Sequence, residues 1–487
     1  MPSPTLPTPS HSSQSLAVKR AQVEFHNFAS LGEPDRALNK YTIENQRRGE
    51  MIARHLRFIG PMTPFLEIGA NVGHTSYLLA NHFEADGFAL DISADALRHG
   101  KFLMDHWSLS RAPVRMGGDA LNLPFKDNSL RFVMTHQTLS QFLDIDAVFR
   151  EVMRVLQPGG VFFFSEEPIR RILSLRLYRC PYYNTMKPWE RKLYDWGLLG
   201  FVAKDVIGAH QEESFGIRQN HRMRLADWHA LVTRHFTSQE YEIHVTETGR
   251  AEHWVRALGR KIDKHGSDWV PARLLGGTLA AFCKKAGTPS SEQKSMAAFE
   301  AFLRCPDCSH DLVRAADETL VCHACRYEAP DEGGVYNLIR SAERKDLYPG
   351  DREDVIDFSL PGHQSKLLGE WEELEGVFGG KYRWLTDKPV RAILTRVKPG
   401  LQKLRIRGFA HHSSLEQGVP ATVTVTVNGQ VLPPWTLDRV GLFVLEANVA
   451  EAPVYRLEIA ASPRWQAPPD ERWFTVNLSM IRLVDQE

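Results

Sequence analysis

The sequence predicts an α/β domain with a mainly parallel sheet over its first ~285 residues, then a small cysteine-bearing ribbon and an all-β sandwich. Three observations carry this reading. Short apolar strands alternate with helical stretches between Phe65 and Ser165, the pattern of strands joined by crossovers. Two CxxC pairs stand close together, Cys305 with Cys308 and Cys322 with Cys325. From Thr422 to Val427 threonine alternates with valine and ends in Asn428-Gly429, a strong hairpin signal. A chain of 487 residues also exceeds what one hydrophobic core supports, roughly 250 to 300 residues.

In chain order, residues 1–20 are expected to form a disordered tail, since Met1 to Ser15 is rich in Pro, Ser and Thr and lacks the apolar region of a secretory signal. Residues 21–286 form the α/β domain. It begins with a helical stretch from Gln22 to Leu56, with Leu38, Tyr41, Ile52 and Leu56 as apolar contacts. The strand Pro64 to Ile68 breaks into Gly69-Ala70-Asn71-Val72-Gly73 and a helix from Thr75 to Phe83 follows. The strand Gly87 to Leu90 ends in Asp91, Ala94 to Asp105 reads as helix, and Leu130 to Thr135 is a third apolar run. A helix from Ile145 to Leu156 then leads through Pro158-Gly159-Gly160 into Val161 to Ser165. Residues from about 168 to 266 read as an aromatic, basic, mainly helical insertion, and Gly276 to Cys283 as the last strand. The ribbon occupies 300–340 and the sandwich 356–487, where Lys403 to Arg407 and Phe474 to Met480 also alternate.

Composition sets limits on function. The 59 basic residues balance 59 acidic ones, so there is no overall electrostatic footprint for nucleic acid, which is not expected as a partner. No run of about 18 apolar residues exists, so no membrane span is expected. Cysteines clustered in CxxC pairs point to metal rather than to a secreted disulfide framework, which places the protein in a reducing cytoplasm.

The turn Glu67 to Gly73 puts small residues where backbone must approach a ligand, and Asp91 ends the next strand, where a carboxylate can accept ribose hydroxyls. Nicotinamide and S-adenosylmethionine sites share that logic. The stretches Gly118-Asp119-Ala120-Leu121-Asn122-Leu123-Pro124-Phe125 and Arg154-Val155-Leu156-Gln157-Pro158-Gly159-Gly160 separate them, because there the sequence resembles small-molecule class I methyltransferases. The resemblance runs from about Leu56 to Lys284. It implies a Rossmann-like fold that binds S-adenosylmethionine, with Glu67 toward the methionine end and Gly69 and Gly73 admitting the cofactor. It further implies Asp91 on the ribose, Ile92 on the adenine, Asp119 accepting from the exocyclic amine, and Ala120 close by. The family usually has Gly where Asn71 stands, and Asn is among the residues that best tolerate left-handed backbone.

His136 and Gln137 follow the third apolar run, and Glu166 and Glu167 follow Phe164, at the expected active edge. These four are the candidates to contact or deprotonate a methyl acceptor. The alternatives are that His136 caps a helix or satisfies backbone and that the two glutamates are solvated loop charges.

Cys305, Cys308, Cys322 and Cys325, with residues 309–321 between the pairs, suit a tetrahedral structural zinc site, with a redox-active pair as the alternative. His310 and His323 are then outside the ligand set. With Gly333 to Ile339 this segment resembles the small zinc-binding subunits that activate transfer-RNA and release-factor methyltransferases. The sandwich, expected to be jelly-roll-like, holds Trp371, Trp384, Trp435, Trp465 and Trp473. It is similar to modules appended to bacterial enzymes of surface-polysaccharide pathways, with sugar binding set against a structural or oligomerising role. The expected reaction is methylation of a hydroxyl on a small-molecule or glycan acceptor. The rival readings are a methyltransferase acting on RNA or protein and a non-catalytic glycan-binding protein.

Overall fold

A computed structural model describes residues 34–169, 223–244 and 277–485, apart from 143, 289–294, 349, 377–380, 387, 398, 412, 414–419, 438–440 and 467–468, together with Lys19, Val23, Trp189 and Lys192. The chain forms two compact units, residues 1–23 with 39–343, and residues 24–38 with 344–487.

The first unit is built on an eight-stranded sheet. Its strands are β1 Phe65–Ile68, β2 Gly87–Asp91, β3 Val114–Gly117, β4 Leu130–His136, β5 Leu156–Ile169, β6 Ser238–His244, β7 Gly277–Lys284 and, from the ribbon, β11 Val335–Asn337. The order is β11-β3-β2-β1-β4-β5-β7-β6. Neighbours from β11 to β5 run parallel, and β7 is antiparallel to both β5 and β6. β1 and β2 are buried along their whole length, which is why they read as unbroken apolar runs rather than alternating ones.

Helix α1 spans Pro34–Arg54, α2 His74–His82, α3 Ala94–Arg98, α4 Gly100–His106, α5 Ile145–Val155 and α6 Leu225–His235. α5 shows the logic of a crossover. Ile145, Val148, Phe149, Val152 and Val155 recur at helical spacing and are all buried, and the Asp144 carboxylate caps the first turn by accepting from Ala147 N at 3.0 Å. Each such buried side chain contributes about 1.5 to 3 kcal/mol. The chain runs from β1 outward to β2 and β3, then returns to the other side of β1 as β4. The carboxyl ends of β1 and β4 therefore form the topological switch point, where open α/β sheets bind ligands.

Several elements differ from expectation. β3, Val114–Gly117, carries a polar residue in a run too short to announce a strand. β6 lies inside the expected helical insertion, yet it is the sheet's edge strand. Ala94 to Asp105 is two helices with His99 between them, and Leu56 is 42% exposed rather than an apolar contact. The rest of the expected insertion, 170–222 and 245–266, and the amino-terminal tail lie outside the described residues, apart from Lys19, Trp189 and Lys192.

The ribbon consists of β8 Val313–Arg314, β9 Leu320–Cys322 and β10 Tyr327–Ala329 in one antiparallel sheet. It shares the core of the α/β unit: Phe299 and Phe302 pack edge-on against Phe88 of β2, and Leu312, Leu320, Tyr327 and Tyr336 belong to the same buried cluster. Its trailing strand β11 pairs with β3 so that Asn337 lies opposite Gly117, and Leu338 N donates to Gly117 O at 2.7 Å.

The second unit is a sandwich of two six-stranded sheets, whose short strands are β12 Val355–Asp357, β13 Leu367–Leu368, β14 Leu374–Glu375, β15 Tyr382–Trp384, β19 Gln430–Val431 and β20 Trp435–Leu437. One sheet is ordered β14-β15-β23-β17-β21 with β12 also on β23, the other β13-β16-β22-β18-β19 with β20 on β18. The long strands are β16 Val390–Thr395, β17 Gln402–Ala410, β18 Ala421–Val427, β21 Gly441–Val449, β22 Val454–Ser462 and β23 Asn477–Asp485, all paired antiparallel. Leu404 and Ile406 of one sheet share a core with Val423, Val425, Leu457 and Ile459 of the other. Asn428 (φ 49°) and Gly429 (φ 84°) make the hairpin that the Asn-Gly pair predicts. The carboxy-terminal strand begins at Asn477, later than expected, because Phe474 bridges to Trp465 instead. Trp384 and Trp465 are buried in an aromatic cluster with Tyr382 and Phe474. Trp473 is 40% exposed with the Arg464 guanidinium over its ring at 4.3 Å.

Candidate active site

The loop after β1 carries three left-handed residues, Gly69 (φ 70°), Asn71 (φ 52°) and Gly73 (φ 81°). A Cβ on Gly69 would run into the Thr138 side chain, so this glycine is required by both backbone and neighbour. Asn71 takes the conformation expected of it. Its N–H donates to Asp91 Oδ2 at 2.7 Å, while Ser93 N donates to Asp91 Oδ1 at 2.8 Å. Asp91 thus ties the β1 turn to the start of α3, and Ile92 sits in that junction.

Glu67, on β1, is buried and accepts from Ser76 N at 2.8 Å and Ser76 Oγ at 2.5 Å. Burial pushes its carboxyl up to about 7, against the pull of those hydrogen bonds and of Arg48. Beyond β3, Asp119 Oδ1 accepts from Leu121 N at 2.9 Å, and its Oδ2 pairs with Lys19 Nζ at 2.8 Å. Lys19 also reaches Glu343 at 2.8 Å. Ala120 is buried beside Asp119. The eight residues expected to meet the cofactor therefore lie along the carboxyl ends of three adjacent strands.

At the end of β4, His136 is 6% exposed. Its Nδ1 lies 2.7 Å from Ser165 Oγ, whereas its Nε2 is buried with no hydrogen-bond partner. Burial, reinforced by Arg48 nearby, holds the ring far below the usual histidine range and therefore neutral. Gln137 (φ 51°) has an exposed side chain and donates its N–H to Ser165 O at 2.9 Å.

The two glutamates are not solvated loop charges. Glu166 (φ 64°) is clasped by Arg48, through Nε at 3.1 Å and Nη2 at 2.9 Å. Glu167 is fully buried and accepts from the backbone N–H groups of Thr138, Leu139 and Ser140 at 2.9, 2.8 and 3.0 Å. Its oxygens are taken up by the loop after β4, which it shapes.

The residues that sequence reading missed lie on α1. Tyr41, Glu44, Asn45 and Arg48 share one face at helical spacing. The Tyr41 ring stacks on His74 at 4.5 Å, Asn45 Nδ2 donates to His74 O at 3.0 Å, and Glu44 Oε2 lies 2.9 Å from His74 Nε2. Arg48 donates to Thr75 Oγ1 at 2.8 Å and reaches His74 Nε2 at 2.8 Å. The helix thus closes over the start of α2, and the polar spacing was the signal that could have found it. The next stripe of α1, Arg47, Glu50, Met51 and Arg54, lines a pocket with residues at the ends of β5 and β6 and the start of β7.

In the ribbon, the Sγ atoms of Cys305, Cys308, Cys322 and Cys325 all lie within 4.8 Å of one another. Cys305 and Cys325 lie 3.5 Å apart, and Cys308 and Cys322 3.4 Å. Each CxxC folds back on itself, Ser309 N donating to Cys305 O and Arg326 N to Cys322 O, with left-handed Ser309 (φ 65°) and Arg326 (φ 63°) closing the turns. Such spacing suits a tetrahedral ion with metal–sulfur bonds of about 2.3 Å. His310 and His323 are exposed and outside this set.

Residues 66–164 match a family described as a methyltransferase domain. Over 131 residues the chain is 33% identical to malonyl-[acyl-carrier protein] O-methyltransferase of Methylococcus capsulatus, covering 26% of this chain and 46% of that protein. It is 34% identical over 125 residues to demethylmenaquinone methyltransferase of Roseiflexus castenholzii, covering 25% and 50%, and 26% identical over 128 residues to norajmaline N-methyltransferase of Rauvolfia serpentina, covering 26% and 41%. The chain spans half or less of the length of these relatives.

Proposed function

We propose that this chain, which carries a class I, S-adenosylmethionine-dependent methyltransferase domain, transfers a methyl group to a hydroxyl of a sugar, glycolipid or related small molecule. The observation that carries the reading is the buried Asp91 carboxylate set against the left-handed Gly69–Gly73 turn at the switch point. Asp91 would hold the ribose hydroxyls, Glu67 the methionine ammonium, and Asp119 the adenine amine beside Ile92 and Ala120. Bound there, S-adenosylmethionine supplies an electrophilic methyl on a sulfonium.

The chain's own part is alignment. The acceptor oxygen attacks the methyl carbon in line as its O–H proton is released, with His136 standing at that edge. Arg48, bound to Glu166, Thr75 and His74 at once, keeps the cofactor helix and the acceptor edge in fixed relation. Four thiolates on one ion leave no open coordination position, so zinc in the ribbon is structural. In the sandwich, Trp384 and Trp465 serve the core, which favours a structural or oligomerising role over sugar stacking by those two rings.

The test is transfer of labelled methyl from the cofactor to cell-envelope glycans, RNA and protein, offered separately. Label in the glycan or small-molecule fraction supports the reading, and label confined to RNA or protein overturns it.

A further inference from the structure

The pocket beside α1 has a composition that specifies its occupant. Ser165 lies behind its wall, fully buried, with its Oγ 2.7 Å from His136 Nδ1. Its sides come from three elements ending at one edge of the sheet: Glu166 on β5, Glu242 to His244 on β6, and Thr278 on β7. Most of the charge in the wall is already compensated. Glu166 is clasped by Arg48, and Glu242 accepts from Arg54 at 3.0 and 2.8 Å and lies 2.9 Å from His55 Nε2. Arg47 and Glu50, on the same helix, form no ion pair with each other or with another described residue. The surface therefore offers donors and acceptors side by side, with no excess of either sign. Among the described lining residues only Met51 and Ile243 are apolar.

An apolar ring or chain placed there would strip water from ionised groups without replacing their hydrogen bonds, at a cost of order 1 to 3 kcal/mol for each group left unmet. A simple anion would face Glu50 and Glu166 as well as Arg47. Hydroxyl groups donate and accept at once, so a neutral polyol satisfies both kinds of wall.

We infer that this pocket is the methyl-acceptor site and that it takes a neutral polyhydroxylated acceptor. The inference rests on the methyltransferase reading and narrows it. As the acceptor oxygen bonds to the methyl carbon, the carbon–sulfur bond breaks and its electron pair stays on sulfur. The acceptor's hydroxyl proton is released to solvent.

Saturation-transfer NMR on the full chain, with myo-inositol and neutral hexoses against inorganic phosphate and menadione, tests the occupant. Wild type should bind at least one polyol in preference to phosphate and menadione. Arg47→Gln and Thr278→Val should each weaken that binding by about tenfold, with S-adenosylmethionine affinity by calorimetry unchanged. No polyol binding, a preference for phosphate or menadione, or polyol binding indifferent to both variants would overturn the inference. Loss of cofactor affinity in wild type would instead strike the methyltransferase reading, since polyol binding is measured without the cofactor.

Discussion

Gly69 meets two demands that no other residue meets together: a φ of 70° and a Cβ position filled by Thr138. Gly69→Ala should therefore destabilise the unit by about 1 to 2 kcal/mol from backbone alone, with the clash added, and should weaken cofactor binding, read by thermal unfolding and calorimetry. Glu67 gives a pH signature. Its folded value, near 7, lies above the ordinary 4.5, so the apo protein holds this proton more tightly than the unfolded chain does. The associated stability is complete below about 4.5 and fades as pH rises toward 7. Cofactor binding runs the other way, because the carboxylate must be ionised to meet an ammonium. Affinity should climb with pH through about 7, and Glu67→Gln should flatten the profile. Arg48→Ala leaves Glu166 and Glu44 without their buried guanidinium and should cost about 3 to 5 kcal/mol in chemical denaturation. Glu67, Asp91 and Asp119 were legible because each lies in, at the end of, or just beyond a short strand. Arg48 and Ser165 were not, since each acquires its partners only when α1 and β5 are brought to one edge by the fold.

Among the elements, the ribbon has the closest link to the cofactor sheet. Asn122 Nδ2 donates to Pro306 O at 3.0 Å, inside the first CxxC turn, and Asn122 N donates to Asp119 O at 3.0 Å. Leu303 bridges to Phe125, and β11 pairs with β3. A chelator that strips the zinc proposed for the four cysteines should release the two cysteine turns and lower the unfolding temperature. Amide exchange should speed at Val335 to Leu338 before it does at β1 and β4. Unchanged exchange in β11 would mean that the pairing stands without the metal. The cysteine spacing made the ribbon legible, whereas its union with the sheet was not. Val335-Tyr336-Asn337 is too short to announce a strand, and β3, its partner, is interrupted by Arg115. β6 was hidden for a related reason: Ser238 to His244 alternates weakly, because its edge position leaves part of it half-buried.

At the scale of the whole molecule, strand and helix periodicity gave the class of both units, and the Asn-Gly hairpin gave the sandwich its surest strand pair. Among the described residues no helix is long and apolar enough to cross a membrane. The central claim is that the carboxyl edge of β1, β2 and β3 binds S-adenosylmethionine. The most direct measurement is calorimetric titration of that cofactor and its demethylated product into wild type, Asp91→Ala and Asp91→Asn. Saturable binding of both compounds to wild type, weakened by about tenfold or more in each variant, is the result expected. Wild-type protein that binds neither compound, or variants that bind as wild type does, would contradict the account.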